Sequence, residues 1–207
     1  MKKTYLTLFL CLLVIAGGYA QNLSAGLKGG VNVAYINGYE EIAGDNVRVA
    51  YLFGAYAEVE ISDKFSVQPE VHFSSQGAVY EDTEDNFGEE FIQYTDDQFI
   101  LEYVNVPVML KYYPVKGFNI QVGPQVGFLT TAKNEYKENG EPVTVDYKDS
   151  VKSTDFGLAV GFGYKTGFGL NIDARYIHGL ADINDLQIGD NINNMVAQVT
   201  VGYSLLK

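Results

Sequence analysis

Charged side chains recur on the polar face of segments whose other face is apolar. Three basic and three acidic residues lie on this polar face, namely Lys28, Glu58, Glu70, Lys111, Asp173 and Arg175. His72 and Asp155 fall on the same polar face. If the segments close into a narrow barrel, the charges meet in its interior, where leaving one of them unpaired is costly. We therefore predict a salt-bridged, plugged lumen, and a gated ion path is the alternative.

A histidine, an acid and a serine are the groups of a hydrolytic triad. His178 has Asp182 four residues later, and Ser74 or Ser75 could lie at a similar height in a barrel. A triad is defined by the hydrogen bonds between its members, and this spacing does not determine them. We therefore predict that the chain is not an enzyme and that His178 is a residue of the barrel rim.

The segment 81–98 contains eight acidic residues and no basic one, so it could attract a divalent cation. A calcium-binding EF-hand loop needs glycine at its sixth position and glutamate at its twelfth. Counted from Asp82, these positions hold Phe87 and Gln93, so the motif fails. We predict a solvated surface loop with no metal site and no cofactor. A loose divalent site is the alternative.

The elements that must position these groups are β-strands, because apolar and polar residues alternate. Residues 118–128 read FNIQVGPQVGF, with bulky apolar side chains on one face and Gly, Gln and Asn on the other. A transmembrane strand needs this pattern, since one face meets lipid and the other a narrow polar lumen. Accordingly, Val160→Arg should impair assembly, whereas Gly161→Ser on the lumen face should be tolerated better. The predicted lipid-facing residues are Phe118, Ile120, Val122, Phe156, Leu158, Val160, Leu170, Ile172, Val199 and Val201.

Eight such segments occur, at 24–36, 47–61, 64–78, 98–113, 117–132, 153–165, 167–179 and 194–206. Long acidic connections alternate strictly with tight ones, and the long ones are 37–46, 79–97, 133–152 and 180–193. Outer-membrane barrels have short periplasmic turns and longer extracellular loops. The pattern predicts an all-β fold, an eight-stranded antiparallel up-and-down transmembrane β-barrel with both chain ends in the periplasm.

Three prolines inside the segments count against this interpretation. Pro69, Pro107 and Pro124 each lack the backbone N–H that a central strand donates to its ladder. β-Bulges at these positions would accommodate them.

The first 20 residues have the pattern of a secretory signal peptide. Lys2 and Lys3 precede an apolar run that is shorter than the roughly 20 residues of a spanning helix, and Ala20 ends a small-residue stretch. Cleavage there leaves residues 21–207 as one barrel domain and removes Cys11, the only cysteine. The remaining chain has 12 basic residues against 26 acidic ones, a net charge of −14. This balance excludes nucleic acid as a partner.

Several stretches resemble the PorT-type outer-membrane β-barrel family of Bacteroidetes-type bacteria. They are LKGGVNVAY, FSVQPEVHFSSQGA, VNVPVMLKYYP, IQVGPQVGFL, STDFGLAVGFGYK, NIDARYIHGLADI and VAQVTVGYSLL, and together they cover nearly the whole of residues 21–207 in the family's order. The resemblance implies an eight-stranded barrel in the outer membrane and no catalytic motif. The protein that gives the family its name belongs to a protein-secretion system, but a shared fold does not establish a shared function.

The expected function is structural or interaction-based, through four acidic surface loops, and is secretion-associated if the family role applies. We expect a monomer that contacts outer-membrane lipid and a protein partner at its loops. A small passive channel for ions or small solutes is the first alternative. A soluble lipocalin-like barrel is the second, because alternation alone does not show which face points outwards.

Overall fold

The computed structural model describes residues 23–37, 46–80, 83–87, 90–184 and 191–206, and in these ranges the chain is β-structure with one short 3-10 turn, Lys148–Ser150. The predicted leader lies outside the described residues, so its cleavage stays a prediction. No helix in these ranges is long and apolar enough to cross a membrane. The strands are β1 Leu23–Asn37, β2 Asn46–Ser62, β3 Phe65–Val79, β4 Thr83–Phe87, β5 Glu90–Tyr112, β6 Phe118–Glu138, β7 Glu141–Asp146, β8 Thr154–Lys165, β9 Leu170–Gly179 and β10 Asn193–Leu206.

Eight of these strands close into an antiparallel ring in the order β1, β2, β3, β5, β6, β8, β9 and β10. β10 pairs with β1 to complete the ring, so these strands leave no free edge, as a lipid environment demands. Three tight turns and both ends of the described chain lie at one end, which we call the turn end. The long connections lie at the opposite loop end. The predicted eight-stranded barrel is confirmed.

The two faces of the ring strands have the chemistry that the alternation indicates. All ten predicted lipid-facing side chains lie on the outer face, and Val160, for example, is 44% exposed beside Ala159 at 1%. The outer surface is therefore a continuous apolar band. A Cβ at Gly161 would lie 2.3 Å from the carbonyl oxygen of Ala174, so serine there requires the backbone to shift. The expectation that Gly161→Ser is tolerated better than Val160→Arg stays a prediction.

The three prolines need no bulge. The β2–β3 ladder resumes in the same register on either side of Pro69, and the β3–β5 and β5–β6 ladders do so at Pro107 and Pro124. Each proline keeps its partner on the other neighbouring strand, and these partners are Val108, Gln125 and Leu158. The ladder hydrogen bond that each proline cannot donate is therefore lost towards one neighbouring strand only.

Two of the long connections contain more β-structure than the sequence analysis predicts. β4 pairs with the start of β5 and β7 pairs with the end of β6, and β5 pairs with β6 between them. We call this four-stranded extension at the loop end the projecting sheet: β4, residues 90–100 of β5, residues 131–138 of β6, and β7. β5 has 23 residues, whereas about 9–11 suffice for a tilted membrane strand. The projecting sheet therefore extends beyond the bilayer.

Candidate functional site

Glu70 on β3 is the centre of the barrel interior at the turn end. Its carboxylate accepts hydrogen bonds from Lys28 Nζ at 2.8 Å and from both terminal nitrogens of Arg175 at 3.0 and 2.6 Å. Gln68 Nε2 donates to it at 2.6 Å. Glu70 is 2% exposed, so these bonds form away from bulk water. Paired, bidentate bonds of this kind are the strong ones in proteins.

Asp173 and Lys111 lie beside this centre. Asp173 Oδ1 accepts a hydrogen bond from Gln121 Nε2 at 2.8 Å, and Lys111 Nζ is 3.8 Å from the same oxygen. Arg175 lies between the two acids, with one terminal nitrogen 3.9 Å from Asp173 Oδ2. The side chains of Lys28, Glu70, Lys111, Asp173 and Arg175 thus form one buried network, which we call the central cluster.

Glu58 lies nearer to the turn end and has a different partner. Lys165 Nζ, at the end of β8, is 3.1 Å from Glu58 Oε2 and 3.5 Å from Glu60 Oε1. Ser66 Oγ donates to Glu58 at 2.7 Å, and the hydroxyl of Tyr113 donates to the same oxygen. Of the six predicted lumen charges, Glu58 is therefore the one whose ion pair involves a residue outside that set. Below it, the three tight turns enclose a vestibule of about 600 Å³.

Neutral polar residues complete the interior, and apart from Ser74 the sequence analysis does not single them out. The hydroxyl of Tyr56 accepts a hydrogen bond from Asn171 Nδ2 at 2.6 Å and lies 3.0 Å from Ser204 Oγ. Asn32 donates to Ser74 Oγ at 2.9 Å. The pattern that could have found them is the same inward alternation that places the charges, since all occupy inner-face positions.

The interior changes to apolar chemistry towards the loop end. A first layer consists of Ala34, Met109, Ala159, Ile177 and Val196. A second layer consists of Ile36, Ala78, Leu101, Tyr103, Leu129, Ala132, Val151 and Ile183. On β1 the inner face passes from Lys28 through Asn32 to Ala34 and Ile36, so these layers lie above the central cluster. We call the two layers together the apolar seal.

His72 and Asp155 face inwards but stand apart from the central cluster. His72 is 1% exposed, its Nδ1 is 3.7 Å from Glu70 Oε2, and neither ring nitrogen has a hydrogen-bond partner. Asp155 Oδ2 accepts a hydrogen bond from Asn194 Nδ2 at 2.9 Å, near the apolar seal. Both are therefore interior residues without a place in the ion-pair network.

The structure separates the residues of the conceivable triad. His178 is exposed on the outer face of β9, with its ring 6.4 Å from that of Tyr176. Ser74 and Ser75 are buried, and Ser75 Oγ accepts a hydrogen bond from Arg48. Asp182 lies in the connection after β9 and pairs with Lys152 at 3.1 Å. These groups do not assemble a catalytic site.

The acidic segment 81–98 supplies β4 and the start of β5. The side chains of residues 81–93 lie outside what the structure describes, so the divalent-cation alternative stays a prediction. In the described part of the chain, no group of three His, Asp or Glu side chains has a metal-binding arrangement.

Comparison with known proteins agrees with this architecture. Residues 19–185 match the family model described as an outer membrane protein beta-barrel domain. No curated protein matches the sequence significantly. No finding distinguishes a PorT-type subfamily within the broader family.

Solved structures with the same ring include Neisserial surface protein A, which is 11% identical with a TM-score of 0.54, covering 89% of this chain and 99% of that one. The attachment invasion locus protein of Yersinia pestis is 13% identical with a TM-score of 0.47 over the same shares. OprG from Pseudomonas aeruginosa is 14% identical with a TM-score of 0.36, covering 89% and 95%. The likeness to Neisserial surface protein A shows the fold alone. Because the family model matches most of the chain's length, the chain belongs to the outer membrane protein beta-barrel domain family.

Proposed function

We propose that this protein is a sealed outer-membrane barrel whose function is interaction through its extracellular sheet and loops. In the orientation typical of the class, the turn end faces the periplasm and the loop end faces the medium. The interior then serves as a rigid plug, and the parts available to a partner are the projecting sheet and the remaining long loops. The proposed role is that of a platform, with no catalytic step.

The apolar seal is the observation that carries this proposal. An ion moving through the lumen would have to leave the hydrogen-bonded central cluster and cross two layers of apolar side chains. Met109, Leu101 and Tyr103 in these layers are each 0% exposed. Hydrophobic constrictions of this kind exclude water and ions. The seal therefore favours a closed platform over a passive channel.

Planar-bilayer recording of the purified barrel tests the seal. We expect negligible conductance from the wild type, and we expect discrete openings from a Met109→Ser/Ile177→Ser variant, because polar, smaller side chains would let water enter the first layer. A Val199→Ser variant on the outer face is the matched control and should stay closed. Steady conductance from the wild type would favour the small channel and reject the platform.

Site-specific crosslinking in native membranes tests the interaction role. A photoreactive residue at position 147, directly after β7, should capture a protein partner, and one at position 201 in the apolar band should capture lipid only. The side chains of Tyr147 and Val201 are both exposed, which makes the two positions comparable. Identical products from both would reject the platform proposal.

A secretion-associated role is the narrower form of this proposal and comes from the PorT-type resemblance of the sequence. The vestibule at the turn end supports it, because a secretion component in the periplasm would meet the barrel there. Deletion of the gene followed by a survey of exported proteins tests this form. An unchanged set of exported proteins would leave the platform without a secretion role.

A further inference from the structure

The projecting sheet has two faces of different chemistry. Its outer face carries charges that neutralise one another: Lys133 Nζ is 2.6 Å from Glu135, and Lys137 Nζ is 2.7 Å from Asp96. Its inner face is continuous with the apolar seal, because Phe99 packs against the second layer of the seal. The charged groups of the outer face are therefore paired with one another, which leaves the inner face as the candidate surface for a partner.

Aromatic side chains form the floor of the inner face. The rings of Tyr94 and Tyr136 meet edge to face with centroids 5.7 Å apart, and those of Phe99 and Tyr147 do so at 6.1 Å. Tyr136 pairs across the ladder with Val143. Phe99 and Tyr136 are half-buried and Tyr147 is 41% exposed, so the floor is accessible.

Two oxygen atoms on this face lack a hydrogen-bond donor, although the Asp97 and Asn134 side chains also bond to each other. Asp97 Oδ1 and Asn134 Oδ1 are buried without a hydrogen-bond partner. Glu138 and Glu141 stand directly opposite each other on the β6–β7 hairpin. Like charges opposed across a ladder destabilise it, and a cation placed between them would relieve the repulsion. Among the inner-face residues of the projecting sheet whose side chains are described there is no lysine or arginine.

From this arrangement we propose that the inner face of the projecting sheet is a docking surface for a basic polypeptide segment rich in arginine or lysine. The inference rests on the proposed platform function and names the chemistry of its partner. Arginine and lysine carry donors and no acceptor, which complements a face of carboxylate and amide oxygens. Their cations also bind over tyrosine rings. The acidic chain would attract such a segment at a distance.

Charge complementarity selects a basic polypeptide over a neutral glycan. A sugar would stack on the tyrosines and donate hydroxyl groups to Asp97 and Asn134. It would leave the opposed Glu138 and Glu141 without a cation, so the repulsion in the hairpin would persist. The paired glutamates are therefore the feature that separates the two ligands.

Isothermal titration of the full-length barrel in detergent micelles tests the proposal. The probe is a synthetic peptide of alternating arginine and serine, and the control probes are the same peptide with citrulline for arginine, and maltohexaose. The test variant is Glu138→Gln/Glu141→Gln. The matched control is Asp96→Asn/Glu135→Gln on the outer face, which removes the same charge.

We expect binding of the arginine peptide alone, weakened about tenfold in the inner-face variant and less than about twofold in the outer-face control. Tyr136→Ala should weaken it about threefold, at low and at high salt. Asp97→Asn serves as the second variant should the double variant fail to fold, with a similar loss expected.

Equal losses in the two double variants would mean unspecific attraction to an acidic protein, and would overturn the proposal. Equal binding of the citrulline peptide or of maltohexaose would overturn it in favour of a neutral ligand, and absence of binding to any probe would also overturn it. If crosslinks from position 147 are present while peptide binding is absent, the docking proposal fails and the platform stands. If those crosslinks are absent, the platform itself fails.

Discussion

The two halves of the barrel interior are built from opposite chemistry on the same strands. At the turn end, Glu70 alone accepts four hydrogen bonds, from Lys28, Arg175 and Gln68. At the loop end, Met109 and Ile177 pack in a layer of apolar side chains. The rigidity of the lumen and the closure of the lumen therefore have separate structural causes. The central cluster ties strands together, and the apolar seal keeps water out.

The largest expected effect comes from breaking the central cluster. Glu70→Gln leaves Lys28 and Arg175 buried without their shared carboxylate. Removing one partner of a buried ion pair costs about 3–5 kcal/mol of the free energy of unfolding. Urea unfolding in detergent micelles, followed by the loss of heat-modifiable mobility, measures this change. Adding Arg175→Met to Glu70→Gln should recover part of the loss, because it removes one stranded charge.

The control for this variant is an exposed pair of the same type. Asp96→Asn breaks the contact with Lys137, whose side chain is 49% exposed, and should leave stability almost unchanged because solvent screens an exposed pair. Equal effects of Glu70→Gln and Asp96→Asn would show that the lumen is open and solvated at the turn end, and would remove the contrast between the two halves.

The second-largest expected effect comes from removing side-chain volume from the apolar seal. Met109→Ala removes buried side-chain atoms from the first layer without touching a charge. Changes of this type cost about 2–5 kcal/mol. Met109→Leu keeps the volume and should cost less than about 1.5 kcal/mol. Unfolding midpoints in the same micelles measure both. A Met109→Ala variant as stable as the wild type would mean that the layer is loosely packed and does not seal.

The third effect compares one substitution in the two halves. Tyr113→Phe removes a donor to the carboxylate of Glu58, and hydrogen bonds to charged groups contribute about 1.5–3 kcal/mol. Tyr103→Phe removes an acceptor 3.3 Å from the amide of Asn194, a neutral bond that contributes about 0.5–1.5 kcal/mol. Unfolding in micelles should therefore rank Tyr113→Phe as the more harmful change. The reverse order would contradict the division of the interior.

The smallest effect concerns a loop-end connection. Backbone N–H groups of Ile192 and Asn184, together with Lys152, hold the pKa of Asp182 below its ordinary value of 3.8, with Ile192 contributing most. A lowered pKa in the folded state means that this stabilisation is present above pH 3.8 and is lost as the pH falls through the lower, folded value.

Amide hydrogen exchange measures this loss at Ile192 and Asn184. Exchange should speed up below pH 3.8 relative to amides of the ring strands, after correction for intrinsic rates. Asp182→Asn should abolish that pH dependence while leaving the barrel intact. A pH dependence that survives in Asp182→Asn would assign the effect to another group.

The alternation of single residues predicts much of this protein because it is a local property. It places Lys28 and Glu70 inwards and Val160 outwards, and it locates all eight ring strands. It could not identify Arg175 as the partner of Glu70, because these residues are 105 positions apart and their contact depends on the stagger of strands around the ring. For the same reason Lys165 was not assigned to Glu58.

Two further features of the sequence indicate structure at the loop end. Asn139-Gly140 is a strong signature of a two-residue hairpin, and both residues adopt positive φ, 50° and 85°. It indicates the β6–β7 hairpin inside a stretch that charge alone assigns to a loop. Ala34 and Ile36 are apolar at inner-face positions, and they indicate the apolar seal.

By itself, the sequence determined the number of ring strands, the two faces, the order of long and short connections and the charges that enter the lumen. All of these follow from period-two geometry along one strand and from turn residues. Only the tertiary structure decided which charges pair, where apolar layers close the lumen and where Gly161 meets a neighbouring backbone. These depend on strand tilt and stagger, which bring together residues that no local pattern relates.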